Sequence, residues 1–239
     1  MILEAKDLVH FYGKRKVLDN VSIRASSGEI VGLLGPNGAG KTTCFRIMAG
    51  LMRPGGGEVL VDSQPVTRRA IYQRARMGLG YLPQESSVFR SLTVTENILV
   101  ALAAIKFPKN QAREKAAAII DEYQLAHVAG QPSHTLSGGE RRRLEIARAI
   151  AAEPKILMLD EPFTGIDPIT VDELRMLLGR LKGRGIGIVL TDHNARETLK
   201  VIDRSYLIHS GKILTQGDAQ SLLNDERARR LYLGWEMTL

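Results

Sequence analysis

A glycine-rich run between a predicted strand and a predicted helix is the part of the chain best suited to chemistry. It reads GPNGAGKTT and consists of Gly35, Pro36, Asn37, Gly38, Ala39, Gly40, Lys41, Thr42 and Thr43. Its three glycines let the backbone turn tightly, so that successive N–H groups point at phosphate oxygens. The helix that begins near Lys41 adds the positive end of its dipole. We expect Lys41 to neutralise the β- and γ-phosphates of a nucleotide and Thr42 to bind Mg²⁺.

Two adjacent acids end a later apolar strand, ILMLDE at Ile156–Glu161. A carboxylate at the rim of a buried sheet, beside a phosphate loop, can hold a metal ion or activate water. We expect Asp160 to hold Mg²⁺, directly or through water, and Glu161 to act as the general base. The alternative is that the two acids merely terminate the strand.

A third motif, LSGGE at Leu136–Glu140, starts a predicted helix. Ser137 and Glu140 form a capping-box pattern, in which each side chain reaches a backbone N–H at the helix start. Gly138 and Gly139 leave the remaining N–H groups open, which makes this helix start a possible second anion site. The alternative is that the motif is only a good helix start.

The elements that must position these residues are strands alternating with helices, which indicates a largely parallel α/β sheet. The predicted strands are Gly28–Leu34, Gly78–Leu82, Lys155–Asp160 and Gly185–Thr191, with a hairpin over Tyr206–Gln216. Helices follow one another from about residue 86 to residue 153, which predicts an inserted helical subdomain. The predicted helices are Lys41–Ala49, Lys109–Tyr123 and Glu140–Ala151.

Composition excludes several classes of protein. Hydrophobic content of 44% and charged content of 25% are ordinary for a globular chain, and no apolar run has the length of a membrane span. The N-terminus lacks a signal-peptide core, so a cytoplasmic protein is expected. The single cysteine, Cys44, excludes an internal disulfide and is interpreted as a buried core residue. The chain has a net charge of +7 but lacks the aromatic-basic repeats of proteins that bind single-stranded nucleic acid. No nucleic-acid partner is therefore expected.

In their order and spacing, the three motifs resemble the Walker A, signature and Walker B motifs of ATP-binding cassette (ABC) ATPases, and the resemblance covers nearly all 239 residues. It implies a P-loop NTPase fold with a RecA-like core of ABC type, an antiparallel β layer and an inserted helical subdomain. The whole chain, 1–239, is expected to be one nucleotide-binding domain. Residues 1–85 and 154–239 would form the core and β subdomain, and residues 86–153 the helical subdomain.

The resemblance also assigns single residues. It implies that Tyr12 stacks on adenine, although an edge-strand packing role is an alternative. Gln84 matches the Q-loop, which senses the γ-phosphate and Mg²⁺, and His193 in LTDHN matches the switch histidine. Asp167 matches the D-loop at the dimer interface, and from the residues alone it is also a helix cap before Pro168.

The resemblance also implies a head-to-tail homodimer that sandwiches ATP. The resemblance implies that Ser137 and Gly139 of one copy close on the γ-phosphate held by the other. Permease subunits are expected to dock on the segment after Gln84, and the candidate contact residues are Ser86, Ser87, Val88, Phe89 and Arg90. Phe89 is either an exposed anchor for a partner helix or core of the helical subdomain.

A narrower resemblance is to the ATP-binding subunits of bacterial lipopolysaccharide export systems. It is carried by seven segments: HFYGKRKVL (10–18), GLGYLPQE (78–85), SLTVTEN (91–97), LSGGERRR (136–143), DEPFTGIDP (160–168), TDHN (191–194) and YLG (232–234). The tail Trp235–Leu239 differs from the usual ending. The resemblance implies a motor on the cytoplasmic face of the inner membrane. The alternatives are the ATPase of a branched-chain amino-acid importer and a soluble scaffold ATPase.

Overall fold

Ten strands form two sheets in the computed structural model, which describes residues 1–234; the tail Trp235–Leu239 noted above lies outside the described residues. The strands are β1 (Ile2–Tyr12), β2 (Arg15–Ser26), β3 (Ile30–Leu34), β4 (Gly56–Val61), β5 (Gln64–Pro65), β6 (Leu79–Leu82), β7 (Ile156–Asp160), β8 (Gly187–Thr191), β9 (Arg204–His209) and β10 (Lys212–Gly217). A four-stranded antiparallel sheet has the order β2-β1-β4-β5, and a six-stranded sheet has the order β10-β9-β3-β8-β7-β6. The α/β fold with an antiparallel layer is therefore confirmed.

Seven α-helices of the described chain lie between strands in sequence, and two follow the last strand. They are α1 (Lys41–Ala49), α2 (Ile71–Ala75), α3 (Val94–Ala104), α4 (Lys109–Glu122), α5 (Gly138–Ala151), α6 (Pro168–Gly183), α7 (Ala195–Leu199), α8 (Ala219–Asn224) and α9 (Glu226–Ala228). By its contacts the chain separates into two compact units, Met1–Tyr81 with Lys155 onward, and Leu82–Pro154.

In the first unit, strands β3, β8, β7 and β9 make the parallel part of the larger sheet: β3 pairs with β8 and β9, and β7 with β8. Every residue of β3, β7 and β8 is buried. Near-continuous apolar strands of this kind suit a sheet that is covered on both faces. The carboxyl ends of β3, β8 and β7 therefore meet at one edge, where ligands bind in open α/β sheets.

Helix α1 lies in a core cluster that also contains residues of both sheets, and Cys44, Phe45, Ile47 and Met48 of α1 belong to it. Cys44 is fully buried, and burial raises the pKa of its thiol to about 12. Cys44 is thus the core residue that the sequence predicts.

Arg74 of α2 caps the C-terminal end of helix α1. Its buried guanidinium donates to the carbonyls of Ile47 and Met48 at 2.9 and 2.7 Å. Burial lowers the pKa of Arg74 to about 10. A cation at a helix C-terminus is favourable because it satisfies carbonyls that have no partner within the helix. Arg74 thereby holds the helix that starts at Lys41.

The second unit contains α3, α4 and α5. Two of these helices begin with capping boxes, Thr93 with Glu96 for α3 and Ser137 with Glu140 for α5. Their apolar faces are buried, as at Ile98 and Leu144. An amphipathic helix packs in this way when its apolar stripe meets a neighbour.

Candidate functional site

The loop between β3 and α1 has the backbone of an anion cradle. Gly35, Gly38 and Gly40 have positive φ angles of 149°, 75° and 111°, which side chains rarely adopt. A Cβ on Gly35 would lie 2.1 Å from the Ile208 carbonyl oxygen, so only glycine fits there. Gly40 caps α1 without any side chain, which leaves the first N–H groups of the helix open to an anion.

Lys41 lies back along this loop. Its side chain is buried, and its Nζ donates to the carbonyls of Gly35 and Pro36 at 2.7 and 3.1 Å. Burial lowers the pKa of Lys41, while the nearby charges of Glu161, Asp192 and Asp160 oppose that shift. The ammonium is therefore already positioned between the loop and three carboxylates.

A cavity of about 260 Å³ opens in front of the loop. Its lining comprises Tyr12, Arg15, Val17, Asn37, Gly38, Gly40, Lys41, Thr42, Thr43 and Glu161. Half of the Tyr12 surface is exposed, its ring packs edge-on against His10 with 5.0 Å between centroids, and its hydroxyl contacts Met52 Sδ at 3.6 Å. An aromatic face held at the mouth of the cavity can stack on a base.

The two acids after β7 have different environments. Asp160 is buried and accepts hydrogen bonds from the Thr191 hydroxyl at 2.7 Å and from the Tyr81 hydroxyl at 3.5 Å. Burial raises the pKa of Asp160, and the bond from Thr191 opposes that rise. Glu161 has a φ of 49°, and its N–H donates to the Thr191 carbonyl at 2.8 Å. Such a backbone is uncommon for a non-glycine residue and is frequent at functional sites.

Glu161, Thr164 and His193 form a small triangle. The Thr164 hydroxyl lies 3.3 Å from Glu161 Oε2 and 3.4 Å from His193 Nδ1. His193 Nδ1 also lies 3.4 Å from Glu161 Oε2, and half of the His193 side chain is exposed. The predicted base and the predicted switch histidine are therefore in contact, although they are far apart in sequence.

Asp192 is a site residue that sequence reasoning missed. It is fully buried; its carboxylate accepts the Phe163 N–H and the Asn194 N–H, each at 2.8 Å. Burial raises its pKa. Asp192 therefore links the loop after β7 to the loop after β8, and it fixes the backbone next to His193.

Tyr232, from the turn Arg229–Leu233, is a second missed residue. Its hydroxyl donates to the Asp192 carbonyl at 3.2 Å; burial raises the pKa of Tyr232, and the nearby backbone of Gly35 opposes that rise. The sequence did contain a signal for Tyr232: the YLG segment at 232–234 contributed to the family resemblance, but no role was assigned to its tyrosine. The hydroxyl connects the phosphate loop to the loop that carries His193.

Asp167 caps α6, as the sequence predicts. Its carboxylate accepts the Thr170 N–H at 3.0 Å and the Thr170 hydroxyl at 2.6 Å, and Pro168 follows in the first turn. These two bonds lower the pKa of Asp167. The residue is exposed.

The LSGGE motif lies in the second unit at the start of α5. The Ser137 N–H and hydroxyl donate to Glu140 Oε2 at 2.8 and 2.6 Å, and His127 Nε2 lies 2.9 Å from Glu140 Oε1. The bonds from Ser137 lower the pKa of Glu140 to about 2. Ser137 and Gly138 are exposed and Gly139 is half-buried. The predicted capping box is therefore confirmed, on an exposed helix start.

The segment predicted to meet partner subunits also lies in the second unit. Gln84 is exposed, Val88 is buried and Phe89 is 45% exposed. The Arg148 guanidinium lies 4.8 Å from the centroid of the Phe89 ring, and Glu145 accepts the Ser87 N–H at 3.3 Å. The exposed alternative for Phe89 is thus the one observed, with Val88 taking the core position.

The acidic and hydroxyl groups of the first unit fit Mg²⁺ better than a tightly ligated metal. Among residues 1–234, no group of three or more His, Cys, Asp and Glu side chains is placed to hold a metal ion. One buried carboxylate, Asp160, and the Thr42 hydroxyl at the start of α1 are available. Mg²⁺ keeps several waters and is usually bound by one or two carboxylates together with substrate phosphates.

Among residues 1–234, no helix has the length and hydropathy of a membrane span.

The family model described as ABC transporter matches residues 18–164. The lipopolysaccharide export system ATP-binding protein LptB of Haemophilus influenzae is 47% identical over 100% of this chain and 99% of its own length. LptB of Escherichia coli is 43% identical over 99% of each chain.

Solved structures show the same fold. The ADP conformation of MJ1267, an ATP-binding cassette of an ABC transporter, has a TM-score of 0.88 with 27% identity and covers 98% of both chains. A dimeric post-hydrolysis state of the cassette MJ0796, bound to ADP and Pi, has a TM-score of 0.80 with 26% identity over 91% of this chain and 98% of that one. Cassettes of this fold therefore bind ADP and form dimers.

Proposed function

The chain belongs to the ABC transporter family of ATP-hydrolysing cassettes, and on that premise we propose that it is the motor subunit of a lipopolysaccharide export transporter. The observation that carries the proposal is the pairing of a complete hydrolytic edge with full-length similarity to LptB. At that edge the phosphate loop, the Asp160–Glu161 pair and His193 follow β3, β7 and β8.

The phosphate loop and the ammonium group of Lys41 bind the phosphates of ATP. The N–H groups of Gly35–Thr43 surround the phosphates, and Lys41 neutralises their charge from its position beside Gly35 and Pro36. Tyr12 stacks on the adenine at the mouth of the cavity. Thr42 and Asp160 would hold Mg²⁺, which would neutralise charge that develops on the phosphates.

Glu161 accepts a proton from the attacking water. The carboxylate lines the cavity, and Thr164 and His193 contact its Oε2 and limit its orientations. A general base must lie within hydrogen-bond reach of the proton that it takes. The orientation of the Glu161 carboxylate is therefore the first requirement for its role, and its pKa the second. His193 assists by fixing the position of the Glu161 carboxylate relative to the γ-phosphate.

The helical unit completes the site in a second copy of the chain. We assign residues 86–153 to the helical subdomain and residues 1–85 and 154–239 to the core and β subdomain. In a head-to-tail dimer, Ser137, Gly138 and Gly139 of one copy present the open N–H groups of α5 to the γ-phosphate held by the other. Asp167 crosses the same interface.

Export requires membrane subunits. We place their docking segment at Ser86–Arg90, with the exposed Phe89 as anchor, and place the assembly on the cytoplasmic face of the inner membrane. ATP binding closes the dimer, hydrolysis reopens it, and the membrane subunits use that motion.

The test is capture of the partners from native membranes. Glu161→Gln protein is loaded with ATP, purified, and its co-purifying membrane subunits are identified by mass spectrometry. Permeases with large periplasmic domains are expected. The matched control is Glu161→Gln combined with Lys41→Ala, which should not load ATP. Compact amino-acid permeases would indicate a branched-chain importer and overturn the export proposal, and recovery of no membrane subunit would favour a scaffold ATPase.

A further inference from the structure

Arg15 stands at the tip of the β1–β2 hairpin, opposite Tyr12. The two residues are direct cross-strand partners on either side of the turn Gly13-Lys14. Side chains of directly opposed residues in an antiparallel pair project from the same face, with Cβ atoms about 5 Å apart. The hairpin therefore presents an aromatic ring and a guanidinium side by side.

Both side chains face the phosphate loop. Tyr12 and Arg15 line the cavity of about 260 Å³ in front of Lys41, and Arg15 also lines an adjacent cavity of about 390 Å³. One Arg15 Nη atom lies 4.0 Å from the point that a Cβ on Gly38 would occupy. The guanidinium is thus next to the middle of the loop, on the side of the hairpin.

Arg15 has no anionic partner among the residues that the structure describes. Within residues 1–234, its side chain has no hydrogen bond and no ion pair. The acid closest to it along β2, Asp19, is already paired with Lys16 at 2.7 Å and with Lys212 at 3.1 Å. An arginine that is exposed, unpaired and directed at a glycine-rich loop is in the position to bind an anion there.

We propose that Arg15 binds a phosphate oxygen of the nucleotide and that Tyr12 and Arg15 together form a two-point clamp on the base and the phosphate chain. This inference rests on the proposed ATP-binding function. The planar fork of arginine matches phosphate oxygens better than the point charge of lysine. Lys41 occupies the end of the loop near Glu161 and Asp160, where the terminal phosphate must react. Arg15 therefore contacts the phosphates that ADP and ATP share.

The experiment compares nucleotide affinities of the full-length chain by calorimetry. Arg15→Ala should raise the Kd for both ATP and ADP roughly tenfold, which corresponds to about 1.4 kcal/mol, and Arg15→Lys should restore part of the loss. The affinity for adenosine, measured by competition, should be unchanged because adenosine has no phosphate. Lys14→Ala is the matched control: it removes the same charge from the same turn, but Lys14 lines neither cavity.

Steady-state kinetics give a second readout. Arg15→Ala should raise the KM for ATP with little change in kcat, because the contact is made equally in the ground state and the transition state. A lowered kcat with an unchanged KM would overturn a binding role.

Two further results would refute the clamp. One is an ATP affinity of Arg15→Ala within about twofold of wild type, and the other is an equal loss for adenosine and ATP, which would mean that Arg15 only shapes the base pocket. Both are distinguishable from failure of the proposed function, in which the unaltered chain would not bind ATP or Lys41→Ala would leave its affinity unchanged.

Discussion

The Thr191 hydroxyl donates to Asp160 Oδ1 at 2.7 Å, between the last residues of two paired parallel strands. Both side chains are buried. The Thr191 carbonyl also accepts the Glu161 N–H at 2.8 Å. One residue of β8 thus places both acids that follow β7, and the geometry of the hydrolytic edge depends on strand pairing as well as on the acids.

Replacing Thr191 by valine should destabilise the protein. The change keeps the shape and leaves a buried Asp160 oxygen without its donor, which costs about 1–3 kcal/mol. Urea denaturation of the purified chain measures this as a fall in the free energy of unfolding. Thr191→Ser keeps the hydroxyl and should lose much less; equal stability of the valine and wild-type chains would contradict the importance of this bond.

Glu161→Gln should retain ATP and lose hydrolysis, because an amide cannot accept the proton of the attacking water. We expect turnover to fall by roughly 10²–10⁴-fold with little change in the Kd for ATP. Phosphate release and calorimetry measure the two quantities. Glu58, an exposed acid on β4, supplies the control variant Glu58→Gln. Turnover near the wild-type rate in Glu161→Gln would remove the general-base role.

His193→Ala should slow turnover more than it weakens binding. The imidazole is 3.4 Å from Glu161 Oε2 and 3.4 Å from the Thr164 hydroxyl, so its loss frees the carboxylate to rotate. We expect kcat to fall by roughly 10–100-fold with KM nearly unchanged. Losses of the same size in kcat and in ATP affinity would instead point to a structural role.

The capping box of α5 predicts a pH dependence. The bonds from Ser137 lower the pKa of Glu140 from 4.5 to about 2. Because the pKa is lowered on folding, this stabilisation is present above about pH 4.5 and is lost as the pH falls from about 4.5 towards about 2. A carboxyl chemical-shift titration of Glu140 should show its midpoint near the lower value.

Ser137→Ala tests the cause of this shift. It should move the Glu140 midpoint back towards 4.5 and cost about 1 kcal/mol of stability, the usual value of a helix cap. Ser137→Thr keeps the hydroxyl and should restore most of both. An unchanged midpoint in Ser137→Ala would show that another group, such as His127, controls this carboxylate.

Much of the candidate site could be proposed from the sequence because its parts are local in sequence. The phosphate loop is a nine-residue glycine-rich segment, Gly35–Thr43, that connects a strand to a helix, and backbone sterics identify it. The caps of α5 and α6 were equally readable, since Ser137 with Glu140 and Asp167 with Thr170 are three residues apart. Their contacts depend only on helix geometry.

The residues that were missed act through long-range contacts. Asp192 binds the Phe163 N–H, 29 positions away, and Tyr232 contacts Asp192 from a further 40 positions along the chain. Arg74 lies in no motif, and Arg15 lies in the HFYGKRKVL segment (10–18), which carried the resemblance without giving this residue a role. Only packing shows that Arg74 is buried against carbonyls and that Arg15, beside the loop, has no ion pair within residues 1–234.

The sequence by itself therefore determined the family and the α/β alternation, and it supplied the groups that we propose to contact phosphate and water. Short-range patterns encode these features, because turns, caps and buried strands need particular residue types at fixed spacings. The tertiary structure decided which of those groups meet. Glu161 and His193 come together because β7 and β8 are neighbours in register, and Arg15 reaches the loop because the hairpin lies beside Gly38. Strand order and register depend on the burial of the whole core, which no single segment specifies.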